Sequence, residues 1–130
     1  MRRVPALRPS ARVLLAAAIT AYAAGFAALS SLRHEAFITG RFDLGNMVQA
    51  VWSTAHGHPL EMTELHGDQI SRLAAHVDPI LVLFAPLWWI WPSPHMLLAV
   101  QAVVIALGAV PVFLLARKHL ASPRAALGLR

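Results

Sequence analysis

The sequence predicts an all-α fold, in which polytopic transmembrane helices are joined by an extracytoplasmic loop that carries an interfacial amphipathic helix. The 130 residues are 58% hydrophobic and only 13% charged, whereas a typical soluble domain has about 25% charged residues. Two runs without charge, residues 13–32 and 96–116, are long enough to cross a bilayer as helices. All six acidic residues lie between these runs, in residues 33–78. We therefore expect the chemistry of the chain in this loop, at the outer face of a membrane.

The basic residues gather at the two ends of the chain and set its predicted topology. The formal net charge is +5, but the basic clusters flank apolar runs and form no stripe with interleaved aromatic residues. A nucleic-acid partner is therefore not expected, and the lipid bilayer is the expected partner. The positive-inside tendency predicts a multi-pass protein of the inner or plasma membrane with a cytoplasmic N-terminus. The absence of cysteine excludes disulfides and cysteine-based catalysis.

The first elements are predicted to be a basic cytoplasmic tail, residues 1–12, and a transmembrane helix over residues 13–32. Small residues recur along this run, which allows helices to approach closely in lipid. A secretory signal peptide is the alternative, although the run is longer than the usual signal core.

Within the loop, apolar residues recur at helical spacing over residues 43–56 and predict an amphipathic surface helix. This helix would turn Met47 and Trp52 toward lipid or protein. Gly57 followed by Pro59 would end it. Residues 58–75 show no sustained period, and we expect loop with short turns there.

Residues 79–92 form a short apolar run with three tryptophans, which we call the Trp-rich segment. If this segment spans the membrane, Arg117 and Lys118 end outside, against the positive-inside tendency. If it is re-entrant, the following transmembrane helix, residues 95–116, brings them to the cytoplasm. The charge distribution favours the re-entrant interpretation and hydropathy favours a span, so both stay open.

Residues 117–130 are predicted to be a basic cytoplasmic segment and the start of another helix. Ser122 is a capping residue and Pro123 would occupy the first helical position. Because a spanning helix needs about 20 residues, we expect an N-terminal fragment of a larger polytopic protein. Further C-terminal helices of the same chain are therefore expected partners.

Three residues of the loop are candidates for catalysis. Asp43 lies where the surface helix starts, so its carboxylate could cap the helix, act as a general base or bind a metal. His76 and Asp78 lie just before Pro79, at the entrance to the Trp-rich segment. They could form a proton shuttle or a cation site shared with Asp43, or Asp78 could cap the helix that begins at Pro79.

Three further residues are candidates for substrate binding. Arg41 and Arg72 could hold a phosphate with the planar guanidinium group, or could pair with the acids of the loop. Trp52 would contact a lipid substrate. A divalent cation is the one cofactor that the carboxylates suggest. The histidines show no strong zinc-ligand spacing, so zinc is not predicted and the metal is not identified.

Several sequence blocks carry a resemblance to a known family, and they occur in the order 31–45, 49–52, 57–60, 76–79, 85–87 and 97–101. Together they resemble an uncharacterised family of polytopic membrane proteins, known as domain of unknown function 2079, predicted membrane protein. That family is in turn similar to the GT-C type of membrane glycosyltransferases, which share the layout of one helix, a large external loop and further helices.

The GT-C resemblance implies a polyprenyl-phosphate-linked sugar donor and an essential acid near the start of the first external loop. By position, Asp43 matches that acid. The loop has a single Asp here and no acidic pair, which leaves metal dependence open. The chain would then be the N-terminal part of a glycosyltransferase, inactive as a fragment. The alternative is a non-enzymatic membrane transporter or assembly subunit.

Overall fold

The computed structural model describes residues 9–39 and 41–120, with side chains for residues 10–39 and 43–120. Within them the fold is predominantly α-helical, as predicted. The elements are, in order, α1 (Pro9–Glu35), α2 (Arg41–Ala55), β1 (Glu61–Thr63), β2 (Gln69–Ser71), α3 (Arg72–Ala75), a 3-10 helix (Pro79–Phe84), α4 (Ala85–Ile90), α5 (Pro94–Leu107) and α6 (Ala109–His119). The predictions for residues 1–8 and 121–130, including the helix start at Ser122, lie outside the described residues.

The chain divides into two compact units. We call Met1–Ala28 with Gln101–Arg130 the helical unit, and Leu29–Val100 the polar unit. The helical unit contains most of α1, the C-terminal half of α5 and all of α6. Within this unit, Tyr22 of α1 and Ile105 of α5 line an apolar groove.

Two described helices are long and apolar enough to cross a membrane, Ser10–Glu35 and Pro94–His119. The first extends the predicted run at both ends, because the flanking residues carry no helix breaker. The second consists of α5 and α6, which meet at Gly108. The amide of Gly108 is shared between the carbonyl oxygens of Val104 and Ile105, at 3.2 and 3.1 Å.

Helix α2 provides the centre of the polar unit. It begins two residues before Asp43 and ends at Ala55, close to the predicted bounds. Val51 is completely buried, and the core around it consists of Ala50, Val51, Leu60, Leu81, Trp88, Met96 and Leu97. Met47 packs against this core, whereas Trp52 is about half exposed.

The region that we expected to be loop contains a small β-hairpin. Strands β1 and β2 are antiparallel, and Met62 pairs with Ile70. Gly67 has a φ of +97° in the connecting turn, a conformation that suits glycine because it has no Cβ. Strands of three residues are too short to show an alternating pattern of apolar and polar residues, so the hairpin could not be predicted from periodicity.

The Trp-rich segment folds as the 3-10 helix followed directly by α4. Pro79 and Pro86 each occupy the first turn of their helix, where the missing amide costs no hydrogen bond. Leu81, Ala85 and Trp88 are buried, and Leu81 and Trp88 belong to the core on α2. The 3-10 helix and α4 have six residues each. At the usual rise per residue they extend together about 21 Å, which is less than the ~30 Å thickness of a bilayer core.

Candidate functional site

Asp43 lies in the first turn of α2, as its third residue. The interpretation of Asp43 as the N-cap is therefore wrong, because the helix starts earlier, at Arg41. A carboxylate in the first turn still interacts favourably with the positive end of the helix dipole. The side chain is exposed, and among the described side chains none forms an ion pair or hydrogen bond with it. The side chain of Arg41 lies outside the described residues.

Asp78 occupies the N-cap position of the 3-10 helix, but its side chain makes no capping hydrogen bond. The prediction that the Asp78 side chain caps this helix is therefore wrong, although the residue does occupy the N-cap position. The carboxylate instead accepts hydrogen bonds from Arg72. Nε donates to Oδ1 and Oδ2 at 3.2 and 3.1 Å, and Nη2 donates to Oδ2 at 2.9 Å.

Arg72 is only 2% exposed, so its charge needs this partner. Its Nη1 also lies 3.8 Å from the sulfur of Met62. The backbone of Arg72 donates to the carbonyl of Leu60 at 2.7 Å and accepts from the amide of His76 at 2.8 Å. Arg72 therefore joins the hairpin to the start of the Trp-rich segment.

The other predicted site residues with described side chains form no side-chain hydrogen bond with this pair, although the backbone of His76 bonds to both of its members. The His76 side chain is exposed, and no hydrogen bond links it to Asp43 or Asp78 within the described part of the chain. The Trp52 ring packs on His56 with 4.6 Å between centroids, and His56 Nδ1 lies 2.6 Å from the Trp52 carbonyl oxygen. The predicted site residues are thus not brought together, because Asp43 lies in the first turn of α2, Trp52 lies in its last turn, and His76 and Asp78 follow α3.

A row of polar residues on α2 holds the hairpin, and the sequence analysis missed it. Gln49 donates from Nε2 to the Thr63 hydroxyl at 2.8 Å and accepts the Thr63 amide at 2.9 Å. Buried Ser53 donates to the Glu61 carbonyl at 2.8 Å. Thr54 accepts the amide of Leu60 at 2.9 Å. The available signal was the spacing of Gln49 and Ser53, which are four residues apart and therefore lie on one face of a helix, with Thr54 next to them.

A second group that was missed joins the end of α1 to the start of α5. His34 Nδ1 lies 3.0 Å from the Thr39 hydroxyl. The rings of His34 and His95 pack edge to face, with 5.4 Å between centroids. His95 Nε2 lies 3.9 Å from a carboxylate oxygen of Glu35. Because these residues are about 60 positions apart, no local pattern could indicate the contact.

Within residues 10–39 and 43–120, no group of three or more His, Asp or Glu side chains is placed to hold a metal ion. The donor set for the suggested divalent cation is therefore not assembled by the described side chains. What the arrangement offers chemically is an accessible carboxylate, Asp43, and a separate neutralised pair, Arg72 with Asp78.

The described residues are predominantly α-helical and include two helices that are fit by length and composition to cross a bilayer, which is consistent with a membrane protein. Residues 33–129 match the family described as "Predicted membrane protein (DUF2079)", and the chain belongs to this family. The predicted resemblance is thereby confirmed for this family. No curated protein and no solved structure matches the chain. Similarity to GT-C glycosyltransferases stays a prediction.

Proposed function

We propose that this chain is part of a GT-C-like membrane glycosyltransferase that uses a lipid-phosphate-linked sugar. The protein would be a multi-pass component of the inner or plasma membrane, with the N-terminus in the cytoplasm and the polar unit outside. The observation that carries the proposal is the position of Asp43. Its exposed carboxylate follows the first candidate span closely, and no described side chain pairs with it.

Asp43 would act as the general base. It would take the proton of the acceptor hydroxyl while that oxygen attacks the anomeric carbon and the bond from the sugar to the lipid phosphate breaks. The configuration at the anomeric carbon would invert, and the lipid phosphate would leave with the bonding electrons. A positioned general base typically contributes about 10²–10⁴-fold to such a step.

The remaining residues would have supporting roles. Arg41 would meet the phosphate, since the guanidinium of Arg72 is already bound to Asp78. Arg72 and Asp78 are positioning residues that fix the hairpin and the Trp-rich segment, and His76 stays a candidate proton carrier. Trp52 and the Trp-rich segment would line the approach of the lipid. We assign no step to a divalent cation, because the described side chains form no cation site.

The test compares Asp43→Asn with the wild-type full-length protein in proteoliposomes supplied with a panel of polyprenyl-phosphate-linked hexoses. Asp68→Asn is the matched control, because Asp68 is an exposed carboxylate of the same polar unit. We expect sugar transfer to fall at least about 100-fold in Asp43→Asn and to be unchanged in Asp68→Asn. Undiminished transfer by Asp43→Asn would remove the catalytic role.

A further inference from the structure

The contact between Glu35 and His95 brings together the ends of the two candidate spans. Glu35 is the last residue of α1, and His95 is the second residue of α5. Their side chains approach to 3.9 Å, and the ring of His34 packs edge to face against that of His95. All three residues belong to the polar unit. The C-terminal end of the first span and the N-terminal end of the second therefore lie at the same face of the membrane.

This contact decides the topology of the residues in between. A segment that leaves a membrane face and returns to it crosses the bilayer an even number of times. Pro79–Ile90 is the apolar helical segment that the structure describes between Glu35 and Pro94, and one crossing would be odd. Its extended length of about 21 Å also falls short of a ~30 Å bilayer core.

Outside the core contacts of Leu81 and Trp88, the surface of the Trp-rich segment is apolar and exposed. Leu83, Trp89 and Ile90 are 69%, 71% and 82% exposed, although Leu81 and Trp88 of the same segment are buried in the core. Such a patch next to a membrane span marks a surface that contacts lipid or protein. Tryptophan prefers the head-group level of a bilayer. Trp89 also donates from Nε1 to the Ala55 carbonyl at 3.2 Å, so its polar atom is satisfied within the protein.

We propose that the Trp-rich segment is a re-entrant wedge, which inserts Leu83, Trp89 and Ile90 into the lipid leaflet on the side of the polar unit and then returns. Lipid is the occupant because the segment is continuous with α5, which begins four residues after Ile90 and enters the bilayer itself. It follows that Arg12 and Arg117, near the opposite ends of the two spans, share the other face. This relation holds whichever face is cytoplasmic and requires no glycosyltransferase activity.

Cysteine labelling tests the topology, since the chain has no native cysteine. Single-cysteine variants Asp68→Cys, Pro92→Cys, Ser10→Cys and His119→Cys replace residues that are exposed. They would be expressed in cells and treated with a membrane-impermeant maleimide before and after permeabilisation. We expect Asp68→Cys and Pro92→Cys to label from one face, and Ser10→Cys and His119→Cys from the other. Labelling of Asp68→Cys and Pro92→Cys from opposite faces would overturn the wedge.

A nitroxide at Ile90→Cys tests the occupant, with Asp68→Cys as the control. In proteoliposomes we expect the probe at position 90 to collide with oxygen several times more often than with a water-soluble nickel chelate, and the probe at position 68 to show the reverse. Equal access of the chelate to both positions would mean that position 90 lies in water. Shielding of position 90 from both reagents would mean that protein covers it. Either result overturns insertion into lipid, and neither depends on sugar transfer.

Discussion

The guanidinium of Arg72 and the carboxylate of Asp78 neutralise each other inside the polar unit, with 2.9 Å between Nη2 and Oδ2. The pair is asymmetric, because Arg72 is almost fully buried whereas about a quarter of the Asp78 side chain is exposed. Removing the acid leaves a buried cation without a partner, but removing the base leaves an anion that water can reach. The two single substitutions should therefore differ.

We expect Asp78→Ala to destabilise the protein by about 3–5 kcal/mol, the typical cost of breaking a buried ion pair. Arg72→Met should cost less, because Asp78 can rehydrate and the methionine can pack near Met62. The double variant should recover part of the loss of Asp78→Ala, since neither charge remains. Thermal unfolding of each variant in nanodiscs measures the order.

The exposed pair of His58 and Glu61, 3.4 Å apart, is the control for this comparison. Glu61→Ala should change the free energy of unfolding by less than about 1 kcal/mol, because exposed ion pairs contribute little. Equal destabilisation by Asp78→Ala and Arg72→Met would contradict the role given to burial.

Gln49 should determine the stability of the hairpin, because it satisfies both the amide and the hydroxyl of Thr63. Gln49→Leu leaves the Thr63 amide without its acceptor, which costs about 1–3 kcal/mol for a partly buried group. We expect the Thr63 amide to exchange with deuterium at least about tenfold faster in this variant.

Gln69→Leu is the matched control, because exposed Gln69 donates only to the Thr63 hydroxyl, at 2.7 Å. This variant should leave exchange at Thr63 nearly unchanged. If both variants behaved alike, the contact from α2 would not be what holds the hairpin.

The elements that the sequence predicted well are those that depend on local composition. Helices α1 and α5 follow from uncharged apolar runs, and α2 follows from a helical period. The site was predicted less well because its contacts join distant residues. Pairing of Arg72 with an acid of the loop was one of the predicted alternatives, but Asp78 could not be named as that acid, since the turn through α3 is what brings the guanidinium back to it. Glu35 and His95 lie 60 positions apart, and no spacing rule connects them.

Leu60 combines a buried side chain with a φ of +56°, which strains the backbone of any residue with a Cβ. The conformation is held because its amide donates to Thr54 and its carbonyl accepts from Arg72. Alanine and glycine at position 60 both lose the side chain, but glycine also relieves about 1 kcal/mol of strain. We therefore expect Leu60→Gly to be more stable than Leu60→Ala in chemical denaturation.

The same pair of substitutions at Leu81 provides the reference. Leu81 is equally buried but has no positive φ. Leu81→Gly should therefore be less stable than Leu81→Ala by about 0.5–1 kcal/mol, the usual cost of glycine in a helix. The same order at both positions would show that Leu60 is not strained.

Phe37 lies two residues after the last residue of α1, in a position where glycine is usual. The amide of Phe37 donates to the carbonyl of His34 at 3.0 Å, and the amide of Ile38 donates to that of Arg33 at 2.9 Å. These two bonds define a Schellman motif whose left-handed residue is Phe37, with a φ of +56°. Phe37 is 95% exposed. Packing of its ring within the described part of the chain therefore cannot offset the strain of the backbone.

Insertion of this ring into the membrane interface would provide that compensation, so the effect of Phe37→Gly should depend on lipid. In detergent, we expect the variant to protect the Ile38 amide from deuterium exchange better than the wild type, by up to about tenfold, because glycine relieves roughly 1 kcal/mol of strain. In nanodiscs the gain should shrink, because the variant loses the contact of the ring with lipid. Phe37→Ala separates the two effects, since it removes the ring and keeps the strain, and it should therefore lose protection in nanodiscs. The same gain for Phe37→Gly in detergent and in nanodiscs would show that the ring does not enter the bilayer.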